Sequence, residues 1–146
     1  MTGVQTCALP IYIEKNYIVV KLEKGDDVGE SISQVLDDYG IFSGLIEYGI
    51  GMIRDLEVGY WNGKEYEKAK LQMPGEVVSF HGTISSNEPR LHIHTSVAIS
   101  DHSVKGGHFF SGTADPLMEI HILRLEEVVL KRELNPNSGL KELTFD

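Results

Sequence analysis

Histidine is the residue type whose spacing in this sequence points to chemistry. Four of the six histidines lie in residues 91–110, LHIHTSVAISDHSVKGGHFF, and His81 lies shortly before them. His92 and His94 are two positions apart, so on a β-strand both imidazoles would leave the same face. The opposite face would carry an apolar stripe made of Leu91, Ile93, Val97 and Ile99. Because that stripe needs a core, we expect both imidazoles to point away from it.

Two imidazoles at positions i and i+2 can bind one metal ion together with a third imidazole from another segment. Three neutral histidines and a water molecule form an open zinc site, in which one coordination position remains for a substrate. Zinc lowers the pKa of the bound water towards neutrality, which suits hydrolysis or hydration. The alternative is that these histidines are surface or interface groups that only make hydrogen bonds.

The position of a third histidine depends on the hairpin that follows the HxH pair. We predict strands at residues 91–100 and 107–113 with a turn between them. A hairpin centred near Ser103 would place His108 opposite about Ile99, several residues along the ladder from His94. Either a β-bulge at Gly106-Gly107 changes this register, or a third ligand comes from a neighbouring subunit.

The rest of the pattern predicts an α+β fold, a largely antiparallel sheet of seven to nine strands with one main helix packed on it. The helix is expected over residues 28–38, with Asp27 as its N-cap and Gly40 after its C-terminal end. We expect Leu143 and Phe145 of the C-terminal tail to pack on the body. The other predicted strands are residues 12–22, 41–50, 52–60, 65–71, 76–84, 117–125 and 126–134.

The segment HIHTSVAISDHSVKGGHFFSG resembles the signature of the plants-and-prokaryotes-conserved (PPC) domain family, a run such as HLHVSLAD, a short turn, and then GGH with a small apolar strand. Residues 25–59 resemble the family's helix and its glycine-punctuated strands, and residues 76–84 resemble its next strand. The likeness covers about residues 13–134. It implies a PPC-like fold and a homotrimer.

The resemblance also implies a divalent metal, zinc or another, held by His92, His94 and His108. His81 departs from the residue usual in the family at its place. Together with Glu47 and Glu119, it is a candidate to contact a ligand imidazole from outside the metal site. For His81 the alternatives are a fourth metal ligand and a purely structural role.

Three functions are compatible with these features. The first is a metal-dependent homotrimer, with an enzyme that acts on a small molecule near the metal as one form of it. The second is a DNA-binding regulatory protein, by analogy with plant members that join this domain to an AT-hook, a basic Arg-Gly-Arg-Pro segment that is absent from this sequence. The third is a protein-interaction module.

Charge and hydropathy restrict the partners and the location. The net charge is −9, which disfavours nucleic acid as a partner because the phosphate backbone is also negative. The sequence shows neither an apolar run long enough to cross a membrane nor a signal peptide, so we expect a cytoplasmic protein without membrane contact. The single cysteine, Cys7, cannot form a disulfide within the chain.

The first residues require a separate interpretation. Residues 1–11, MTGVQTCALPI, resemble the translation of a sequencing adapter, so we interpret them as a non-native tail. The alternative is an ordinary flexible tail. Residues 12–146 are expected to form a single PPC-like domain.

Overall fold

A computed structural model describes residues 9–146. Within that range one helix packs on a large antiparallel sheet, so the predicted α+β fold is confirmed. In chain order the elements are β1 (Ile11–Glu14), β2 (Tyr17–Glu23), α1 (Val28–Asp38), β3 (Gly44–Trp61), β4 (Tyr66–Leu71), β5 (Gly75–Ile84), β6 (Leu91–Ala98), β7 (Val104–Arg124), β8 (Leu130–Asn135) and β9 (Leu140–Phe145).

Seven of the strands form one sheet that closes on itself. Their order is β1-β2-β7-β6-β5-β3-β4, and an additional pairing joins β7 to β3. The four strands β3, β5, β6 and β7 therefore form a ring. Apolar side chains from these strands, from β2 and from α1 make a single buried cluster. This closure fixes β6 between β5 and β7, the neighbours that surround the predicted histidine site.

Helix α1 spans the predicted residues because the residues that begin and end it lie next to it in the sequence. The Asp27 side chain accepts a hydrogen bond from the Glu30 backbone N–H at 2.9 Å, which satisfies one of the free donors of the first turn. Gly40 follows the C-terminal end with a φ of +61°, a conformation that glycine adopts without strain. The helix buries one apolar face, formed by Val28, Ile32, Val35 and Leu36.

Strands β3 and β7 are each continuous where the sequence predicted two strands. The predicted break at Gly51 is a register shift within β3, between Gly51 and Ile53. Gly51 has a φ of +121°, and a side chain there would collide with the backbone of β7. The predicted break at residues 114–116 likewise lies inside β7. Bulges thus bend long strands that the sequence pattern divided.

The N-terminal strand predicted over residues 12–22 is instead the hairpin of β1 and β2. Lys15, with a φ of +57°, lies in the turn, and Glu14 pairs with Tyr17. The proposed non-native tail lies outside the described residues as far as position 8. Leu9 and Ile11 pack against the core.

The C-terminal segment forms a two-stranded sheet of its own, β8 and β9. The predicted strand over residues 126–134 begins only at Leu130 and extends to Asn135. The predicted packing of Leu143 and Phe145 on the body is wrong, since they are 38% and 69% exposed on β9. Within residues 9–146, no helix is long and apolar enough to cross a membrane.

Candidate metal centre

Strand β6 separates its histidines from the core by simple alternation. Ile93, Thr95 and Val97 are each at most 3% exposed, whereas His92 and His94 are on the exposed face. The Thr95 hydroxyl donates to the Ser79 carbonyl oxygen at 2.7 Å, so a polar residue on the inner face is satisfied. Both imidazoles therefore point outward, as the sequence pattern predicts.

His108 lies directly opposite His94 in the β6–β7 hairpin. The register continues without a shift from this pair to Ala98 and Val104. The predicted position of His108 opposite Ile99 is wrong because the chain turns at Asp101 instead of Ser103. Neither a bulge at Gly106-Gly107 nor a neighbouring subunit is needed to bring His108 to the pair.

Three imidazoles therefore meet within one chain, and we call His92, His94 and His108 the histidine triad. Their ring centroids lie 5.1 Å (His92–His94), 5.3 Å (His92–His108) and 5.7 Å (His94–His108) apart. One nitrogen from each ring lies within 4.8 Å of the other two. Nitrogens on one tetrahedral zinc ion are about 3.4 Å apart, so rotations of the side chains close the difference. The donor set fits a divalent metal.

The surroundings keep two of these rings neutral. Burial, with a smaller effect from the neighbouring imidazoles, lowers the pKa of His108 to about 4. Burial also lowers the pKa of His92, and the positive charge of Arg132 adds to this effect. Because a metal binds the neutral imidazole, protons compete only weakly for these two ligands near neutral pH.

Aromatic side chains from β4 and β7, Tyr66 and Phe110, lie against the His108 ring. The Tyr66 hydroxyl is 3.4 Å from Nδ1 of His108, which leaves Nε2 as the nitrogen available to a metal. The Phe110 ring is centred 4.8 Å from the imidazole. A Cβ at Gly59 would lie 2.6 Å from Phe110 and 3.0 Å from Tyr66, so only glycine admits both rings here. Burial raises the pKa of Tyr66, which keeps its hydroxyl protonated.

Of the other predicted residues, His81 lies beside the triad, whereas Glu47 and Glu119 do not. His81 is exposed on β5 and is the cross-strand neighbour of His94. Glu47 contacts His121, 3.3 Å away, instead of a triad histidine. Glu119 lies in the other half of β7, opposite Lys21 of β2. Glu47 and Glu119 lie away from His108 because they belong to the far halves of the two long strands, Glu47 on β3 and Glu119 on β7.

Sequence reasoning missed Tyr66, Phe110 and Arg132. The strands predicted at residues 52–60 and 65–71, joined as a hairpin, could have placed Tyr66 beside Trp61, its partner in the structure. No local pattern points to Arg132, which reaches the site from β8.

In metal-free protein we expect His108 to make the free energy of unfolding depend on pH. Its pKa is about 4 in the fold, against an ordinary value of 6.5. Between these values the unfolded chain binds a proton that the folded chain does not, so stability is complete above 6.5 and falls as the pH approaches 4. We expect a loss of about 1–2 kcal/mol, reduced from the full shift by solvent screening.

Urea unfolding in the presence of a chelator, at about pH 7 and about pH 4.5, measures this loss. The matched control is His108→Gln, which has no titrating group at the position and should lose less stability over the same interval. Equal losses in both proteins would contradict the burial of the imidazole.

Comparison with known proteins gives a family match and several structural ones. Residues 13–126 match the family model described as the Plants and Prokaryotes Conserved (PCC) domain. None of the curated proteins matches the chain.

Similar solved structures extend over nearly the whole chain. A protein from Bacteroides thetaiotaomicron, provisionally named a DNA-binding protein, has 27% identity and a TM-score of 0.85, covering 94% of this chain and 96% of its own. A metal-containing protein from Archaeoglobus fulgidus has 27% identity and a TM-score of 0.81, covering 95% and 99%. A plant- and prokaryote-conserved protein from Pyrococcus horikoshii has 24% identity and a TM-score of 0.77, covering 95% and 97%. The name of the Bacteroides protein disagrees with the expectation, drawn from charge, that nucleic acid is not a partner.

Proposed function

Since the chain belongs to the Plants and Prokaryotes Conserved (PCC) domain family, we propose that it binds a divalent metal ion, zinc in the first place, through His92, His94 and His108. The observation that carries this proposal is the convergence of three imidazole nitrogens within 4.8 Å on one face of the β6–β7 hairpin. The similarity to a metal-containing protein from Archaeoglobus fulgidus supports it.

The chain's own residues would leave the metal open to a ligand. Three protein ligands leave one position of a tetrahedral zinc ion for a substrate or water, which zinc polarises as a Lewis acid. The triad lies on the outer face of β6, so a small molecule can approach from solvent. Tyr66 would hold the His108 ring through Nδ1, and Phe110 would exclude water from one side. This arrangement suits a small-molecule enzyme of hydrolytic or hydrating type.

Elemental analysis of protein purified without a histidine tag tests the proposal. We expect about one zinc or other divalent ion per chain, released by a chelator and restored by adding zinc. Metal-free protein that fails to take up any of several divalent ions would refute the proposal and would favour surface hydrogen-bonding histidines.

We also propose that the protein is a homotrimer, as the family resemblance implies. Support comes from the sheet order, in which β1 and β4 are terminal strands with unpaired edges that assembly could cover. Sedimentation equilibrium should give three times the mass of one chain. A monomer at micromolar concentration would refute the assembly but not the metal site, since all three ligands lie in one chain.

A cytoplasmic location stays a prediction.

DNA binding is a second candidate function, supported by the provisional name of the Bacteroides relative. The net charge of −9 opposes it, because attraction to phosphates supplies most non-specific affinity. A gel shift at low salt separates the candidates. A retarded complex would favour DNA binding, and its absence would leave the metal-dependent function. A protein-interaction module stays the third prediction.

A further inference from the structure

Arg132 is a buried arginine whose guanidinium contacts Thr83, the cross-strand partner of His92. It is only 5% exposed, on the inner side of β8. Asn87 fixes its backbone from both sides. The Arg132 N–H donates to Asn87 Oδ1 at 2.7 Å, and Asn87 Nδ2 donates to the Arg132 carbonyl oxygen at 3.0 Å. These two hydrogen bonds hold β8 against the loop that follows β5. The Arg132 side chain extends from β8 to Thr83 on β5.

The guanidinium is incompletely satisfied by the chain. Its Nη2 donates to the Thr83 hydroxyl, while its buried Nε has no hydrogen-bond partner. Among the ion pairs of residues 9–146, none involves Arg132, whereas each of the other three arginines has a carboxylate within 3.7 Å, namely Arg54, Arg90 and Arg124. An unpaired buried cation is costly, so its retention in the fold points to an anion supplied from outside.

Thr83 connects this cation to the triad. It lies on β5 directly opposite His92 on β6, and cross-strand partners project to the same side of a sheet. The hydroxyl accepts from Arg132 and keeps its own proton to donate. The charge of Arg132 also acts on the His92 ring, which agrees with this proximity.

We infer that Arg132 and Thr83 bind the oxyanion group, a carboxylate or a phosphoryl group, of a small-molecule ligand whose other end faces the histidine triad. The inference rests on the proposed function, because the triad supplies the second contact. A guanidinium presents donors in a planar fork that matches such oxyanions, and a hydroxyl beside it adds a further donor. In a chain of net charge −9, an anionic ligand needs a dedicated cation of this kind.

Calorimetric titration of the zinc-loaded protein with inorganic phosphate, and separately with acetate, tests the inference. We expect saturable binding of at least one probe, and the tighter probe identifies a phosphoryl or a carboxylate ligand. Arg132→Gln should weaken that binding by a factor of about 30 or more. Arg124→Gln is the matched control, because Arg124 also has a buried Nε without a partner but pairs with Glu126. This variant should bind the same probe with an affinity within about twofold of wild-type protein.

Two outcomes would overturn the inference. One is that neither probe binds wild-type protein saturably, and the other is that Arg132→Gln and Arg124→Gln lose equal affinity for the probe. If Arg132→Gln fails to fold, Thr83→Val provides the second variant, because it removes the donor opposite His92 and keeps the side-chain volume. Unchanged affinity in Thr83→Val would then count against the anion site.

Zinc content separates the failure of this inference from the failure of the proposed function. We expect Arg132→Gln to hold as much zinc as wild-type protein. If wild-type protein takes up no metal but still binds phosphate through Arg132, the metal proposal fails and the anion site stands. If zinc is present and Arg132→Gln binds phosphate normally, only the anion site fails.

Discussion

Replacing His92 and His94 together by alanine is expected to abolish metal binding. These two rings supply two of the three nitrogens of the triad, and the remaining imidazole of His108 cannot hold zinc alone. Zinc content should fall from about one per chain to below about 0.1, because loss of two ligands lowers zinc affinity by more than the 10–100-fold that follows removal of a group supporting a ligand. Elemental analysis after gel filtration measures it.

The control removes a histidine that is also exposed but lies in the turn, away from the triad. We expect His102→Ala to keep its metal. Since these side chains are on the surface, both variants should unfold within about 1 kcal/mol of metal-free wild-type protein. If the His92 and His94 variant retained full zinc content, the metal would be bound elsewhere and the proposed site would be refuted.

The orientation of His92 and His94 was predictable from sequence because it depends on alternation alone. Ile93 and Val97 must be buried, so a strand of period two has no choice but to expose His92 and His94. The limits of α1 were also predictable, because Asp27 and Gly40, which set them, lie next to the helix in the sequence. Signals of this kind are local, and they do not require knowledge of any distant contact.

The position of His108 was not predicted correctly because the turn was misplaced. The backbone N–H of Ile99 donates to Ser103 at 3.0 Å, and His102 adopts a φ of +68° to close the loop. Asp101 accepts from the Ser103 N–H at 2.9 Å, an aspartate turn that fixes the centre of the hairpin. Asp101 was a usable signal, and misplacing the centre of the turn by about two residues changed the predicted partner of His108 from His94 to about Ile99.

Arg132 shows what local patterns leave out. Its position depends on Asn87, which is far from it in sequence, and on a two-stranded sheet formed by β8 and β9. The sequence offers a lysine and an arginine in a charged strand, a pattern typical of an exposed surface. Burial of Arg132 arises from docking between elements, so it follows from tertiary structure only.

Replacing Gly82 by alanine is expected to disrupt the pairing that supports the triad. Gly82 lies on β5 opposite Ile93, where β5 and β6 approach closely. A Cβ at this position would overlap the His92 carbonyl oxygen and lie 2.8 Å from the Cα of Ile93. Both obstacles are backbone atoms, which cannot rotate away, so β6 would have to move. We expect the free energy of unfolding to fall by about 3 kcal/mol or more, measured by urea unfolding.

Gly29→Ala is the control, because the added methyl would make only ordinary contacts, the nearest at 3.7 Å, and lies within α1. It should stabilise the protein by about 0.5–1 kcal/mol through helix propensity. Because His92 is the residue displaced, Gly82→Ala should also bind zinc more weakly at temperatures where it remains folded. A Gly82→Ala protein as stable as wild type would mean that β5 and β6 are further apart, and the geometry that joins Thr83, Arg132 and the triad would fail with it.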